Sequence, residues 1–179
     1  MGSMRVEAIN IGPSESLAPV GSVTAVAGKG LAGDRHFSDN PSPGNALTLI
    51  EAEVLEDVGL TGAQSRRQVV VRGVRVNDLV GKRFRIGDVE CLGVEICEPC
   101  AHLQRLTRPG IIKDLLHRGG LNADILSGGL ISVGDEISFL SASGTRSQFD
   151  FTYLPHGHIG HSGHGNGHKV RKVKTSQLL

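Results

Sequence analysis

The stretch Val69-Val70-Val71-Arg72-Gly73-Val74-Arg75-Val76-Asn77-Asp78-Leu79-Val80-Gly81-Lys82-Arg83-Phe84-Arg85-Ile86-Gly87-Asp88-Val89-Glu90-Cys91 decides the fold class. Its consecutive valines, continued past Gly73 by Val74 and Val76, suit a pleated, half-buried surface. Phe84 and Ile86 then alternate with Arg83 and Arg85, Gly87-Asp88 supplies turn residues, and Val89 and Cys91 alternate with Glu90. That period of two around a turn predicts a hairpin. It also puts Cys91 on the inward phase with Val89, as a core thiol. Further along, residues 130–133, the turn at Gly134-Asp135, and Ile137 with Phe139 repeat the pattern and predict a second hairpin.

Two segments depart from strand spacing. Over residues 48–58, Ile50, Val54 and Val58 fall four apart, Thr48 and Glu51 match a capping box, and Gly59 stands where a C-terminal cap belongs, so a helix is predicted. Over residues 108–118, Pro109 suits a first turn, Ile111, Ile112, Leu115 and Leu116 form a stripe, and Gly119-Gly120 ends it. Short strands with two helices between them predict a mainly β fold, a barrel or strongly curved sheet with a few short helices. A doubly wound parallel sheet would need more of them.

Residues 4–144 are expected to form one domain and residues 145–179 a His/Gly-rich basic tail. Between residues 155 and 168 five of the eight histidines interleave with glycine, and a basic run, residues 169–174, follows. Such a segment has little to bury, so disorder is predicted. Phe149, Phe151 and Tyr153 alternate with polar residues, as in a last strand or a docking segment. The tail holds five Lys/Arg and one Asp, net +4, which leaves −3 on residues 1–144.

Composition excludes several function classes. A net charge of +1 argues against a polyanion grip by the body, and one Tyr, five Phe and no Trp are too few for a base-stacking platform, so no nucleic-acid partner is expected. No apolar run reaches membrane-spanning length and the start lacks a signal-peptide stretch, so a cytoplasmic protein with no membrane association is expected. Three cysteines, an odd number, argue against a disulfide framework.

Three motifs remain. Gly28-Lys29-Gly30-Leu31-Ala32-Gly33 satisfies G-x-G-x-x-G, but Pro41 and Pro43 soon follow and no helix opens, so a Gly-rich turn is preferred to a dinucleotide site. Gly33-Asp34-Arg35-His36 places an acid, a guanidinium and an imidazole in one loop, as contacts to an anionic or heteroaromatic ligand or as an ordinary loop. Cys97-Glu98-Pro99-Cys100 reads as half of a zinc site, a redox dithiol, or one functional thiol beside a bystander. Pro99 fixes its own φ and presents Cys100 from a defined bend, which suits a thiolate aimed at a soft or high-valent metal.

Taken in order, Gly33-Asp34-Arg35-His36, the run from Arg67-Gln68 through Asn77-Asp78-Leu79-Val80-Gly81 to Ile86-Gly87, then Cys97-Glu98-Pro99-Cys100-x-x-Leu103, Gly119-Gly120 and Gly134-Asp135 resemble the MOSC domain, over roughly residues 5–140. The family is named for the C-terminal domain of molybdenum cofactor sulfurases, and the chain is most similar to its small stand-alone bacterial type. The resemblance implies a β-barrel-like fold that binds the molybdopterin form of the molybdenum cofactor, with Cys100 as ligand to the metal or as sulfur carrier. Asp34, Arg35 and His36 would line the pocket, and Arg67 would face the cofactor's phosphate. Gln68 stands where the family usually has Asn, one methylene shorter.

Relatives of the amidoxime-reducing type reduce small N-hydroxylated compounds with electrons from a separate protein, which makes the chain a possible molybdenum-dependent oxidoreductase or sulfur-transfer protein. Neither the N-terminal barrel domain of some relatives nor a desulfurase domain is recognisable, so pyridoxal phosphate belongs to the family only, and sulfur would come from a cysteine desulfurase partner. The alternatives are a non-catalytic cofactor or sulfur carrier, or a metal-binding module using the C-x-x-C and the His-rich tail.

Overall fold

The computed structural model describes residues 2–140; the tail of residues 145–179 and the alternation at Phe149, Phe151 and Tyr153 lie outside the described residues. The chain runs β1 (Arg5–Ile11), β2 (Ala18–Val20), β3 (Ser22–Val26), β4 (Gly30–Leu31), β5 (Leu47–Glu51), α1 (Ala52–Val58), α2 (Gly62–Ser65) and β6 (Val69–Arg72). A 3-10 turn (Val76–Leu79) follows, then β7 (Arg83–Ile86), β8 (Val89–Ile96), α3 (Ala101–Leu106), α4 (Ile111–Asp114), β9 (Leu121–Ile125), β10 (Gly129–Ser132) and β11 (Ile137–Phe139). One sheet has the order β11-β7-β8-β9-β5-β6-β1-β2 and curls into a half-barrel, while β10-β3-β4 forms a second. The fold is mainly β with a few short helices, as expected. No helix among the described residues is long and apolar enough to cross a membrane.

The expected hairpin forms as β7–β8, with Phe84 opposite Cys91 and Ile86 opposite Val89, all four buried. Cys91 is a core thiol, fully buried. Neighbours are antiparallel throughout except β5–β6, which run parallel and are joined through α1 and α2. Leu49, Val69 and Val71 face the interior of the curl, while Ile50 and Val70 face a second apolar cluster built from α1, Leu103, Ile111 and Leu115. These two strands are therefore buried on both faces, and the helices seal one side of the sheet beside the loops that carry the candidate site.

Three expectations are corrected. Residues 48–58 are not one helix: Leu47–Glu51 is strand and only Ala52–Val58 is helical, with Glu51 as an N-cap whose carboxylate accepts from Val76 N at 3.0 Å instead of capping the helix. A strand buried on both faces loses its polar alternation, so the four-residue spacing of Ile50, Val54 and Val58 imitated one continuous helix. Residues 130–133 and 137–139 are not a hairpin: β10 pairs with β3 and β11 with β7. The turn at Gly134-Asp135 forms, but it passes the chain from one sheet to the other. Residues 108–118 hold only the four-residue α4, where Ile111 and Leu115 are buried and Leu116 is exposed. Sequence spacing missed two helices, α2 and α3, and α3 begins directly after Cys100.

Candidate functional site

Residues from four loops converge at the edge of the helix-covered strands. Gln68, immediately before β6, is fully buried. Its side-chain oxygen accepts from Thr48 N at 2.8 Å, and its Nε2 donates to Asp34 Oδ1 at 2.6 Å. Asp34 Oδ1 also accepts from His36 N at 3.0 Å and Oδ2 from Gly12 N at 3.3 Å. The buried carboxylate of Asp34 is thus spent on shaping the loop that presents Arg35 and His36. Gln68 ties that loop to the sheet, and Arg35 N adds a bond to Gly12 O at 2.8 Å.

Positive charge gathers here. Arg35 Nη2 donates to Arg66 O at 3.1 Å, and Arg66 Nη1 to Glu15 O at 2.9 Å. Arg67, only 9% exposed, donates from Nε to Gly119 O at 2.8 Å, from Nη1 to Ser65 O at 3.3 Å and from Nη2 to Cys97 O at 3.4 Å. All three guanidiniums are engaged with backbone carbonyls. Among the described residues none of them forms an ion pair with a carboxylate, whereas Arg72 pairs with Glu7 and Glu56 and Arg118 with Asp57. Burial, then repulsion from Arg66, lowers the pKa of Arg35; burial, then Arg35, lowers that of His36, whose imidazole is therefore uncharged at neutral pH. Among the described residues, Arg35 Nη1 and Asn10 Nδ2 are buried donors with no partner.

The Cys97–Cys100 segment leaves the end of β8 beside Arg67. Cys97 N donates to Gly120 O at 2.8 Å. Its thiol is pushed up by burial, an effect that the Arg67 charge opposes and nearby Cys100 reinforces. Burial drives Cys91 to about 12. Cys100, the N-cap residue of α3, is the exposed thiol of the three. Gly119 and Gly120 make this approach possible. A Cβ at Gly119 would fall well inside contact distance of the Cys97 carbonyl oxygen and 3.2 Å from Pro99 Cδ, and one at Gly120 would lie 3.3 Å from Arg67 Nε. A groove of about 350 Å³ opens beside Arg66, lined by Glu15, Ser16, Leu17, Ala63, Gln64 and Leu106.

Asp34, Arg35, His36 and Gln68 thus form one bonded group, with Arg67 between the cationic cluster and the cysteine segment. Arg66, Thr48 and Asn10 belong to the same neighbourhood and were missed. Adjacency to Arg67 was the only sequence signal for Arg66. The G-x-G-x-x-G run is a turn within the β3–β4 hairpin, where Val26 pairs with Gly30. Among the described residues no cluster of three or more His, Cys, Asp or Glu side chains is placed to hold a metal ion. A metal bound here would draw one sulfur from Cys100 and bring its other ligands with it. Three guanidiniums with no ion-paired carboxylate among the described residues, the orphaned Nη1 of Arg35 and an exposed thiol fit an anionic, metal-carrying group.

The MOSC domain profile matches residues 43–138, more than half of the chain. No curated protein matches it in sequence. Among solved structures, the YuaD protein of Bacillus subtilis is 16% identical with a TM-score of 0.65, the match covering 78% of this chain and 98% of that one. YiiM of Geobacillus stearothermophilus is 17% identical with a TM-score of 0.60, covering 77% and 75%. YiiM of Escherichia coli is 16% identical with a TM-score of 0.57, covering 79% and 72%. At these identities the likeness is one of fold.

Proposed function

The chain belongs to the MOSC domain family, and on that premise we propose that it binds the molybdenum cofactor, with Cys100 as the protein's sulfur ligand and the phosphate on Arg35, Arg66 and Arg67. The observation that carries this reading is the set of three partly or wholly buried guanidiniums with no carboxylate partner among the described residues. Buried charge is costly unless compensated, so an anionic ligand is the natural counter-charge. Planar, always-charged guanidiniums also suit phosphate oxygens.

When bound, the cofactor supplies a redox-active metal able to accept an oxygen atom. The protein's residues do the rest. Asp34 and Gln68 hold the loop in register, Arg35 and Arg66 orient the anion, and Arg67 fixes the carbonyls of Cys97 and Gly119 so that the Cys100 segment keeps its place. Neutral His36 offers one ring nitrogen as donor and the other as acceptor to a polar ligand edge. The groove beside Arg66, walled by Leu17, Ala63 and Leu106, offers space for an apolar substrate body. The activity that follows is reduction of small N-hydroxylated compounds with electrons from a partner protein.

A second reading is favoured by the exposure of Cys100: carriage of sulfur on that thiol, loaded by a cysteine desulfurase. The test is elemental analysis with pterin fluorescence on wild type and Cys100→Ser, purified from a host that makes the cofactor. Near-stoichiometric molybdenum and pterin in the wild type alone is the expected result. Equal molybdenum in both proteins would refute the ligand assignment. A loaded protein that reduces no N-hydroxylated compound with any donor would favour carriage.

A further inference from the structure

The turn of residues 117–120 is fixed at every position. His117 O accepts from Asn77 Nδ2 at 2.8 Å, and Arg118 pairs with Asp57 at 2.7 Å while its Nε donates to Asp114 O at 2.7 Å. Gly119 O accepts from Arg67 Nε and Gly120 O from Cys97 N, both at 2.8 Å. The turn is therefore a rigid bed, and the Cys97–Cys100 segment lies on it. His117 has φ of 61°, a left-handed conformation that an L side chain keeps only where its surroundings over-determine it. What over-determines it is Glu98. One carboxylate oxygen of Glu98 accepts from His117 N at 3.0 Å, and the other lies 2.8 Å from His117 Nδ1.

Glu98 stands inside the C-x-x-C, two residues before Cys100. Pro99 has no N–H to offer the bed, so the Glu98 side chain supplies the tie closest to Cys100 on this side. On the far side, α3 is held by His102 Nε2, 3.0 Å from Glu15 Oε1. We propose that Glu98, acting through His117 and the turn of residues 117–120, is a positioning residue that sets the presentation of the Cys100 thiol. The proposal rests on the reading of Cys100 as the functional sulfur, but its geometry lies wholly within the protein's own residues.

The experiment is alkylation of Cys100 by iodoacetamide, followed peptide by peptide by mass spectrometry, on the full chain without cofactor. Glu98→Ala is expected to alkylate at Cys100 at least about threefold faster than wild type, the scale of one exposed charge-assisted contact. Glu98→Gln keeps an oxygen for His117 N and an amide that can donate to a neutral Nδ1, so it should stay within about twofold of wild type. Should Glu98→Ala not fold, Glu98→Asp, whose carboxylate is drawn back by one methylene, carries the same expectation of faster alkylation. A Glu98→Ala rate within about twofold of wild type, or a Glu98→Gln rate equal to that of Glu98→Ala, overturns the proposal. Because no cofactor is present, either result stands apart from the molybdenum content that tests the proposed function.

Discussion

Gln68 Nε2 donates to Asp34 Oδ1 at 2.6 Å, and this bond between the base of β6 and the turn after β4 joins the sheet to the loop that carries Arg35 and His36. The family's usual Asn is one methylene shorter. The extra reach of Gln68 lets one amide serve two elements, its oxygen taking Thr48 N and its nitrogen giving to Asp34. Replacing Gln68 by Leu leaves a buried Thr48 N–H and an Asp34 oxygen short of partners, at a cost of about 1–3 kcal/mol each. Urea denaturation checks this; a Gln68→Leu midpoint equal to wild type would show that the bridge contributes nothing to the fold.

The cationic cluster predicts an anion affinity that depends on each guanidinium. Arg35→Met and Arg66→Met should each weaken inorganic phosphate binding roughly tenfold or more, the magnitude of one charge-assisted hydrogen bond. Binding should also fall with rising salt, as for partly exposed charges. Calorimetry at two ionic strengths on the two variants reads both effects. Salt-independent binding, or binding unchanged by either substitution, contradicts the cluster's assignment.

How much of this was legible follows residue by residue. The β7–β8 hairpin was readable because each strand is buried on one face, so Phe84 and Ile86 alternate cleanly with arginines. β5 was unreadable because its second face is covered by helices, which erases alternation and leaves only length and context to arbitrate. β10 and β11 were found as strands but given the wrong partner, because a turn signal such as Gly134-Asp135 says where the chain bends and not which sheet receives it. In the site, Asp34, Arg35, His36, Arg67, Gln68 and Cys100 carried family motifs. The Glu98–His117 pair spans 19 positions and depends on a left-handed residue, which no local pattern announces.

The Gly119-Gly120 pair predicts a steric outcome. Gly119 is buried, and a Cβ added to it would run into the Cys97 carbonyl oxygen, so Gly119→Ala must push the cysteine segment off the bed. Overpacking of this kind costs about 1–3 kcal/mol. The variant should also lose the 2.8 Å bond from Cys97 N to Gly120 O, seen as faster amide exchange at Cys97. Unchanged exchange at that amide would mean that the bed yields instead of the segment.

The last prediction concerns alkaline pH. Burial raises the Cys91 thiol from its ordinary 9.0 to about 12, so the folded state keeps a proton that the unfolded state gives up. The stability from a neutral buried thiol is fully present below pH 9 and is lost progressively as pH rises from the unfolded toward the folded value. The slope across that window is about 1.4 kcal/mol per pH unit for one proton. Cys91→Ala removes the titration, at the separate cost of a small cavity beside Phe84. Urea melts of both proteins at pH 8, 9.5 and 11 should therefore differ most at pH 8 and converge toward pH 11. A constant gap between them across the series would place the alkaline sensitivity elsewhere in the protein.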